Sequence, residues 1–406
     1  MTKSISSKFS LNLELPPSCI QFSPAHPTYL VTGTYNLQRD ENNAASDAPT
    51  TDEATEPQST GTKAQSRDGS LIVYEMKDNV LRHVQTLSTP SALLDLRFSH
   101  IAGQQDIMAV ISSTGTLAMF RFDPAGEPNA PLQPLATSRC DDLDESVLFL
   151  QCQWHPAHSN IMGVTTSAGS ARLLRLDEQW RICDWTDLDV ANTLEAWCIA
   201  FAPSGREPVS LGQTTVYCGG DDSILRYTTS AYGSHPRATE DMEVVPLPSI
   251  LKNQHNAGVT AILPLDAFDA EGSRLVITGS YDDSIRLFAM RDPDPAAFTK
   301  RAELLAEENL EGGVWRLDLV HANTSAESPI FRVLASCMYA GARLVQFARD
   351  KQGAWQCDVL AKFEEHQSMN YGCGIVPGSE GQKTLQCVST SFYDKLICLW
   401  DVELEC

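Results

Sequence analysis

The sequence predicts an all-β protein, a propeller of seven small sheets arranged in a ring. Three segments carry most of this prediction, because each places two alternating strands on either side of a short turn rich in Asp, Gly or Ser. They are residues 216–227 (VYCGGDDSILRY), 276–288 (VITGSYDDSIRLF) and 387–400 (CVSTSFYDKLICLW). Such a pattern is typical of β-hairpins. Weaker copies that end at Tyr74, Phe120, Leu174 and Val345 bring the hairpins to seven.

A further apolar strand precedes each hairpin and completes the repeated unit. These strands begin near Cys19, Leu93, Leu150, Trp197, Val259, Val314 and Tyr371. Several of them end in a turn that contains proline, such as WHP at 154–156. The unit is therefore strand, turn, strand, tight turn, strand and a more variable fourth strand. It is typical of a WD-repeat propeller blade, and we expect the tight turn of the first blade at Asp68-Gly69.

The two ends of the chain are predicted to share the seventh blade. That blade ends with Trp400 and Asp401 and lacks an outer strand of its own. Residues 9–15 (FSLNLEL) alternate apolar and polar side chains ahead of the first blade. We expect this segment to pair with the strand that ends at Trp400, because ring closure there removes an open sheet edge. Residues 1–406 then form one domain.

A polar segment interrupts the first blade, and acidic residues dominate the whole chain. Residues 39–67 contain almost no apolar side chains, which predicts a disordered insertion in a surface loop. The chain has 30 basic and 52 acidic side chains, for a formal net charge of −22. A nucleic-acid partner is not expected, because no basic patch is visible. A basic protein surface or a cationic ligand suits this charge better.

The sequence favours a monomeric cytoplasmic protein without membrane contact. Its hydrophobic content is 42%, yet it has no apolar run of about 20 residues that could span a membrane. The N-terminal residues lack the apolar core of a secretory signal. The 12 cysteines follow no metal-ligand spacing, and Cys152, Cys218 and Cys387 lie in apolar strands. We predict buried free thiols in a reducing compartment.

One mouth of the central channel is predicted to collect polar and aromatic residues. In a propeller, the starts of the innermost strands and the tight turns meet at the same rim. The strand starts supply Glu195, Trp197, His255, Glu311, Gly312, Gly313, Trp315, Arg316, His366 and Tyr371. The tight turns supply Asp221, Ser280, Tyr281, Asp282, Cys337, Tyr339, Ser391, Tyr393 and Asp394. All of these residues belong to the last four predicted blades.

A structural role is the alternative for some of these residues. WD repeats commonly carry a His before the innermost strand, which hydrogen-bonds to an Asp in the tight turn and fixes the blade. His255 with Asp282 and His366 with Asp394 stand at those two places. Asp221 has no His at the matching place, so it is the better candidate for contact with a ligand.

The residues alone favour a binding scaffold. No GxSxG elbow, HExxH motif, phosphate-binding GK[ST] loop or GxGxxG motif is present. Trp197 and Trp315 could fill the space between neighbouring sheets as well as contact a ligand. A propeller fold by itself does not imply a reaction.

Motifs in the C-terminal half of the chain point to one family. They are EAW (195–197), YCGGDDSILR (217–226), HNAGV (255–259), TGSYDDSIRLF (278–288), EGGVWRL (311–317), LASCMYAGARL (334–344), YG (371–372) and TSFYDKLICLW (390–400). In this order and spacing they resemble the WD-repeat diphthine methyl ester hydrolases of diphthamide biosynthesis. One departure is that Phe288-Ala289 stands where the family has Trp-Asp in the fifth blade. The first three blades show only the propeller pattern.

The resemblance implies a carboxyl methyl ester hydrolase. Its substrate would be methylated diphthine, a modified histidine of translation elongation factor 2, and no cofactor would be needed. The substrate carries a trimethylammonium group, which has no N–H to donate and is bound by aromatic faces. Six predicted rim aromatics suit such a group: Trp197, Tyr281, Trp315, Tyr339, Tyr371 and Tyr393. Asp221, Asp282 and Glu311 add negative potential.

Position on the rim, and not the family motif, suggests which residues act in catalysis. Ester cleavage needs an activated nucleophile and hydrogen-bond donors for the developing oxyanion. The first assignment takes His366 as the base, oriented by Asp394, with Ser391 or a water molecule as the nucleophile. No metal is expected, because the rim histidines are too few and too separated for a zinc site.

A second assignment of the catalytic residues uses the fifth blade. It takes His255 with Asp282, and the nucleophile is then Ser280 or Cys337. In either assignment the backbone N–H groups of Gly312-Gly313 could stabilise the oxyanion, since glycine lets the backbone approach a ligand closely.

Two functions without catalysis compete with the esterase. One is a scaffold that presents elongation factor 2 to other enzymes of the same pathway. The other is an adaptor for an unrelated complex, such as a substrate receptor of a ubiquitin ligase or a trafficking factor. The missing hydrolase motif favours a scaffold, whereas the polar and aromatic groups on one rim favour the esterase.

Overall fold

The computed structural model describes residues 2–37, 67–190, 192–202, 213–231, 248–291, 302–325, 328–380 and 382–404. These ranges contain thirty β-strands and no helix. The strands form seven sheets, so the predicted all-β propeller of seven blades is confirmed. The insertion predicted at residues 39–67 lies outside the described residues, apart from Arg67. Within the described ranges, no helix is long and apolar enough to cross a membrane.

The first three blades each contain four antiparallel strands in chain order. Blade 1 has β3 (Pro17–Phe22), β4 (Tyr29–Thr34), β6 (Arg67–Lys77) and β7 (Val80–Thr89), and the short β5 (Asn36–Leu37) pairs with the start of β6. Blade 2 has β8 (Leu93–Phe98), β9 (Ile107–Ser112), β10 (Thr116–Phe122) and β11 (Leu132–Arg139). Blade 3 has β12 (Phe149–Trp154), β13 (Ile161–Thr166), β14 (Ala171–Leu176) and β15 (Ile182–Asp187).

The remaining four blades repeat this arrangement. Blade 4 has β16 (Cys198–Phe201), β17 (Gln213–Gly219), β18 (Leu225–Ala231) and β19 (Ser249–Leu251). Blade 5 has β20 (Val259–Phe268), β21 (Arg274–Ser280), β22 (Ser284–Met290) and β23 (Ala302–Asn309). Blade 6 has β24 (Arg316–Asn323), β25 (Ile330–Ser336), β26 (Ala342–Arg349) and β27 (Trp355–Phe363). Blade 7 has β28 (Cys373–Ile375), β29 (Thr384–Ser391) and β30 (Leu396–Glu403).

The first strand of every blade faces the centre of the ring. These strands contact one another in a closed cycle, from β3 through β8, β12, β16, β20, β24 and β28 back to β3. Residues on them therefore surround a central channel, and side chains that are distant in sequence become neighbours there.

The N-terminal segment closes the ring, as predicted. Strand β2 (Ser7–Asn12) pairs antiparallel with β30 and supplies the outer strand of blade 7, with Phe9 opposite Leu399. The strand begins and ends earlier than the predicted 9–15 segment. A second pairing was not predicted: β1 (Lys3–Ile5) lies parallel to β27 and adds a fifth strand to blade 6. One short segment thus connects two blades.

The tight turn predicted at Asp68-Gly69 is wrong. Both residues lie inside β6, where Asp68 pairs with Asn36 and Gly69 with Thr89. An Asp-Gly pair is a common turn signal, but here the chain stays extended because strands pair with it on both sides. A Cβ atom on Gly69 would come within 2.4 Å of the Thr34 carbonyl oxygen, so close packing explains this glycine.

The core fills the spaces between neighbouring blades. Strands β21 and β22 are buried along their whole length, because other blades cover both faces of the sheet. Between blades 5 and 6, Ile277 and Leu287 pack in one cluster with Phe331 and Phe347. Full burial of one such side chain contributes about 1.5–3 kcal/mol.

The cysteines behave as predicted within the described part of the chain. All eleven described cysteines are free thiols, and Cys152, Cys218 and Cys387 are buried. Burial raises the pKa of Cys152 and of Cys387 well above the usual thiol value. Thiols that stay protonated are poor nucleophiles, so these cysteines act as small core residues.

Candidate functional site

Strand starts and tight turns meet on one rim of the ring, as predicted. In blade 4 the Trp197 N–H donates to the Gly219 carbonyl oxygen over 2.9 Å. Between blades 4 and 5 the Val259 N–H donates to the Gly220 carbonyl oxygen, also over 2.9 Å. The first bond lies within blade 4 and the second joins blade 4 to blade 5 at the mouth of the channel, so side chains from both blades have defined relative positions there.

Four aromatic rings, one from each of blades 4 to 7, form an arc along this mouth. We call Trp197, Tyr281, Trp315 and Tyr371 the aromatic arc. Trp197 lies edge-on to Tyr281 and to Trp315, with centroid separations of 6.1 and 5.6 Å. Trp315 lies 5.9 Å from Tyr281 and 5.1 Å from Tyr371. All four rings are half-buried, so they support the mouth and still face solvent.

The arc continues through Phe392, in the tight turn of blade 7, to Tyr35 of blade 1, which the sequence analysis missed. Phe392 lies 5.3 Å from Tyr371, and Tyr35 of blade 1 lies 6.1 Å from Phe392. The two remaining predicted aromatics, Tyr339 and Tyr393, are both 66% exposed at the edge of the mouth. They present aromatic surface outward at the mouth.

Carboxylates flank the blade 4 end of the arc. The indole N–H of Trp197 donates to Asp221 Oδ1 over 3.0 Å. Burial raises the pKa of Tyr281, and Tyr371, Asp221 and Glu195 nearby raise it further, while Arg316 acts in the opposite direction. Asp221 and Glu195 therefore place negative charge close to the rings, as predicted.

Arg316 contributes a cation to the same mouth. Its guanidinium carbon lies 5.0 Å from the centroid of the Trp315 ring, and Nη1 donates to the Trp315 carbonyl oxygen over 3.1 Å. Such a placement is a cation–π contact. One face of the Trp315 ring therefore already holds a positive group.

Glu311 forms ion pairs and Gly312-Gly313 is closely packed, whereas the sequence predicted contact with the substrate for all three residues. The hydrogen bond from Lys362 holds the pKa of Glu311 below its usual range, and Arg343 Nη2 lies 3.1 Å from the same carboxylate. These ion pairs offset the charge of Glu311 on the outer side of blade 6.

Gly312 and Gly313 are buried, and a Cβ atom added to Gly312 would come within 2.4 Å of the Cys337 carbonyl oxygen. Close packing, therefore, accounts for the glycine pair.

His366 lies inside blade 7. It is only 4% exposed, and its Nε2 shares a 2.7 Å hydrogen bond with Ser389 Oγ, which also accepts the indole N–H of Trp400 over 3.0 Å. Burial lowers the pKa of His366 to about 4, although Asp394 and Glu365 act in the opposite direction. The predicted contact with Ser391 is not formed, so His366 joins strands β29 and β30 to the start of the blade.

Ser391 and Asp394 form a separate hydrogen-bond network. Ser391 Oγ donates to Asp394 Oδ2 over 2.5 Å and lies 2.9 Å from Ser368 Oγ. Asp394 Oδ2 also accepts the backbone N–H of Gln367 over 2.7 Å. Since Ser391 has no exposed surface, a ligand at the mouth does not reach its hydroxyl. His366, Asp394 and Ser391 therefore do not form the predicted catalytic triad. Ser391 and Asp394 instead stabilise the tight turn of blade 7.

The corresponding pair in blade 5 is also buried in the fold. His255 Nε2 lies 2.9 Å from Thr278 Oγ1, and burial lowers the pKa of His255 to about 4. Asp282 receives two hydrogen bonds from Arg286, at 2.8 and 3.0 Å, and one from the Asn256 N–H at 2.8 Å. The carboxylate is thus committed to Arg286, and it does not orient the imidazole.

The two nucleophiles of the second assignment, Ser280 of blade 5 and Cys337 of blade 6, are inaccessible. Ser280 has no exposed surface, and its Oγ donates to the Ala257 carbonyl oxygen over 3.0 Å. Cys337 is fully buried, and burial raises the pKa of its thiol far above the usual value. Both residues serve packing at the base of the rim.

The sequence analysis missed a charged cavity below the mouth. This cavity of about 440 Å³ lies between the first strands of blades 1, 2, 6 and 7. It receives Asp95 and Arg97 from β8 and Arg316 and Asp318 from β24. The signal is visible in the sequence, because LLDLRF (93–98) and RLDLV (316–320) each place two opposite charges two residues apart within an apolar strand.

Comparison with known proteins agrees with this architecture. Residues 248–288 match the model of the WD domain, G-beta repeat, and this segment spans β19 to β22. A Schizosaccharomyces pombe protein named diphthine methyltransferase is 27% identical over 393 residues, which cover 95% of this chain and 94% of that protein. The predicted resemblance to a WD-repeat protein of diphthamide biosynthesis is confirmed. A Saccharomyces cerevisiae protein of the same name is 25% identical over 435 residues, 97% of each chain.

The similarity extends to the part of the ring where no family motif was found. Nearly full coverage of both relatives includes blades 1 to 3, which contribute Tyr35, Asp95 and Arg97 to the mouth and to the cavity below it. The two relatives are thus similar to this chain over the complete propeller.

Proposed function

We propose that the chain is a carboxyl methyl ester hydrolase that acts on methylated diphthine of translation elongation factor 2. The names of the two relatives support a role in diphthamide biosynthesis and an activity that involves a methyl group. The resemblance of the motifs around residues 311–317 to the diphthine methyl ester hydrolases implies that the reaction is ester hydrolysis and that the substrate is a protein. In this reaction the methyl ester and water give the carboxylic acid of diphthine and methanol.

The aromatic arc with its flanking carboxylates is the observation that carries the proposal. A trimethylammonium group offers no N–H, so it is bound by ring faces and by negative potential. Each well-placed ring contributes about 0.5–2 kcal/mol. Trp315 already holds the Arg316 guanidinium 5.0 Å from its centroid, so its face is suited to a cation. Asp221 and Glu195 add charge of the complementary sign.

The surroundings of the mouth suit a protein substrate. Tyr339 and Tyr393 are 66% exposed, and Leu194 beside the blade 4 end of the arc is 52% exposed. Exposed aromatic and aliphatic side chains around a pocket are typical of contact sites for proteins. The net charge of −22 favours association with a basic surface.

A scaffold without catalysis is the second candidate function. It is favoured by the burial of His366 and Ser391, which removes the predicted catalytic group from the mouth. A scaffold needs only the aromatic arc and the exposed residues around it. Both functions thus require binding of elongation factor 2, and only turnover separates them.

Mass spectrometry of the modified histidine separates the candidates. The purified chain is incubated with elongation factor 2 that carries methylated diphthine. The mass of the peptide that contains the modified histidine is then measured. The esterase removes one methylene mass and releases methanol. Binding without any mass change at stoichiometric enzyme would identify the scaffold. In a parallel reaction, S-adenosylmethionine is added to elongation factor 2 whose modified histidine is not fully methylated. Addition of a methyl group there would instead show methyl transfer, the reaction that the relatives' name describes.

A further inference from the structure

The charged cavity in the channel adjoins the aromatic arc. Tyr371 and Arg316 line the cavity, and both also contact Trp315 at the mouth, at 5.1 and 5.0 Å. A substrate held by the arc would therefore extend its neighbouring groups into this cavity. The ester of methylated diphthine is carried on the same short side chain as the trimethylammonium group, so the reacting carbon must lie close to the rings.

Three carboxylates line the cavity, and Glu380 is the exposed one, which accepts the Gly378 N–H. The other two, Asp95 and Asp318, have different surroundings. Asp95 is almost fully buried, lies 3.4 Å from Arg97 Nε and accepts the Cys152 backbone N–H over 3.2 Å. Asp318 is half-buried, and in the described ranges no hydrogen bond or ion pair is found for its side chain. Asp95 is thus held by the fold, whereas Asp318 lies in the cavity, where Arg97 and Arg316 act on its charge from a distance.

Arg316 lies on the same strand as Asp318, two residues earlier. Side chains two residues apart point to the same face of a strand. Both residues line the cavity, and Arg316 also reaches the Trp315 ring. A carboxylate and a guanidinium are therefore available on one strand, next to the position that the aromatic arc gives the substrate.

We propose that Asp318 is the general base of ester hydrolysis and that Arg316 stabilises the oxyanion. This inference rests on the proposed function. Asp318 takes a proton from a water molecule as the water oxygen bonds to the ester carbonyl carbon. The carbonyl oxygen becomes an oxyanion beside Arg316. When the bond to the methoxy oxygen breaks, the leaving group takes the proton from Asp318, and methanol and the carboxylic acid result.

The environment of Asp318 suits a base that acts near neutral pH. Burial raises the pKa of Asp318 to about 6, Arg97 and Arg316 act in the opposite direction, and Asp95 adds to the increase. Tyr371, Cys373 and Glu380 from blade 7 and Cys19 from blade 1 also line the cavity. A general base is most effective when its pKa lies near the working pH. The rim histidines, with pKa values of about 4, are buried elsewhere.

Single-turnover hydrolysis of Asp318→Asn tests the proposal. The amide keeps the shape of the side chain and cannot take a proton, so the rate should fall by about 10²-fold or more. Binding of methylated elongation factor 2 should stay at the wild-type level. The matched control is Asp358→Asn, which changes an exposed carboxylate on the outer strand of the same blade and should hydrolyse at the wild-type rate.

The pH profile supplies a second, independent measurement. The wild-type rate should rise between about pH 5 and pH 7 as Asp318 loses its proton. Full activity of Asp318→Asn would overturn the role of Asp318 and leave the esterase in place. A wild-type protein that binds and never hydrolyses would overturn the proposed function itself. If Asp318→Asn does not fold, a wild-type rate that is independent of pH over this range overturns the proposal, and the expected rise supports it.

Discussion

The indole N–H of Trp197 donates a hydrogen bond to Asp221 Oδ1 over 3.0 Å, although 24 residues separate the two side chains. The bond fixes a ring and a carboxylate side by side at the mouth of the channel. Asp221 occupies the place in its tight turn that Tyr281 occupies in the next blade, while Asp222 and Asp282 both pair with an Arg four residues later. Asp221 is therefore not needed to hold the turn.

Asp221→Asn should weaken substrate binding and leave the fold unchanged. An Asn oxygen can still accept the Trp197 N–H, so only the charge is lost. A unit charge near a cation at a protein surface is worth on the order of 1–4 kcal/mol, and we expect at least about a fivefold increase in Kd. Titration of methylated elongation factor 2 at low and high salt measures the effect. Asp358→Asn is the control, and equal affinity in both variants would contradict the prediction.

Trp315→Ala should also reduce binding of the methylated substrate. The ring contacts Trp197, Tyr281 and Tyr371 at the mouth, so its loss removes the centre of the aromatic arc. We expect a loss of about 0.5–2 kcal/mol in binding free energy. Trp355→Ala is the matched control, because Trp355 stacks on Phe331 at the outer side of blade 6. An insoluble Trp315→Ala protein with normal residual specific activity would assign the ring to packing.

The architecture could be predicted from the sequence because each blade repeats its own local signals. Tight turns such as Gly219-Gly220 and apolar strands such as β21 are visible residue by residue. Strand β1 was missed because three residues that alternate in exposure give no recognisable period. The Asp68-Gly69 turn was wrong because the same dipeptide occurs where strands pair closely on both sides.

Propeller geometry predicts which residues lie on the rim, but it does not predict the direction of their side chains. Placing strand starts and turns on one rim correctly brought Trp197, Tyr281 and Trp315 together. The same reasoning could not tell which rim side chains point into the blade, so His366 was expected beside Ser391 and in fact contacts Ser389. Asp318 was missed because it follows the rim by a few residues and its neighbours come from other blades.

The two buried histidines should make stability depend on pH. Burial lowers the pKa of His255 and of His366 to about 4, below the usual value of about 6.5. The unfolded chain therefore binds protons first as the pH falls. Their contribution is complete above about pH 6.5 and is lost between about pH 6.5 and pH 4. The midpoint of thermal unfolding should fall over that range.

His366→Gln tests this assignment of the histidine. The variant should melt at a lower temperature than the wild type at pH 7.5, because the buried hydrogen bond to Ser389 is lost, at a cost of about 1–3 kcal/mol. Its melting temperature should depend less on pH. Specific activity per folded molecule should stay near the wild-type value. A folded variant with wild-type stability and no turnover would restore His366 as a catalytic residue.

Asp318→Asn should stabilise the protein at neutral pH. The folded pKa of about 6 lies above the usual Asp value, so the folded state holds the charged form less favourably than the unfolded chain does. The penalty is absent below about pH 4 and complete above about pH 6. Melting of the variant should therefore exceed that of the wild type at pH 7.5, with little difference at pH 4. Equal melting at both values would show that the channel does not oppose this charge.

Removal of residues 1–15 should open the ring. The deletion takes β2 from the edge of blade 7, β1 from the edge of blade 6, and Leu13 from a cluster that includes Ile397. Burial of Leu13 alone contributes about 2 kcal/mol, and the exposed edge of β30 would favour aggregation. Removal of residues 1–6 is the matched control, because it deletes only β1 and leaves the pairing of β2 with β30 intact. The longer deletion should melt well below the shorter one, and a longer deletion that melts at the wild-type temperature would show that β2 does not hold the ring closed.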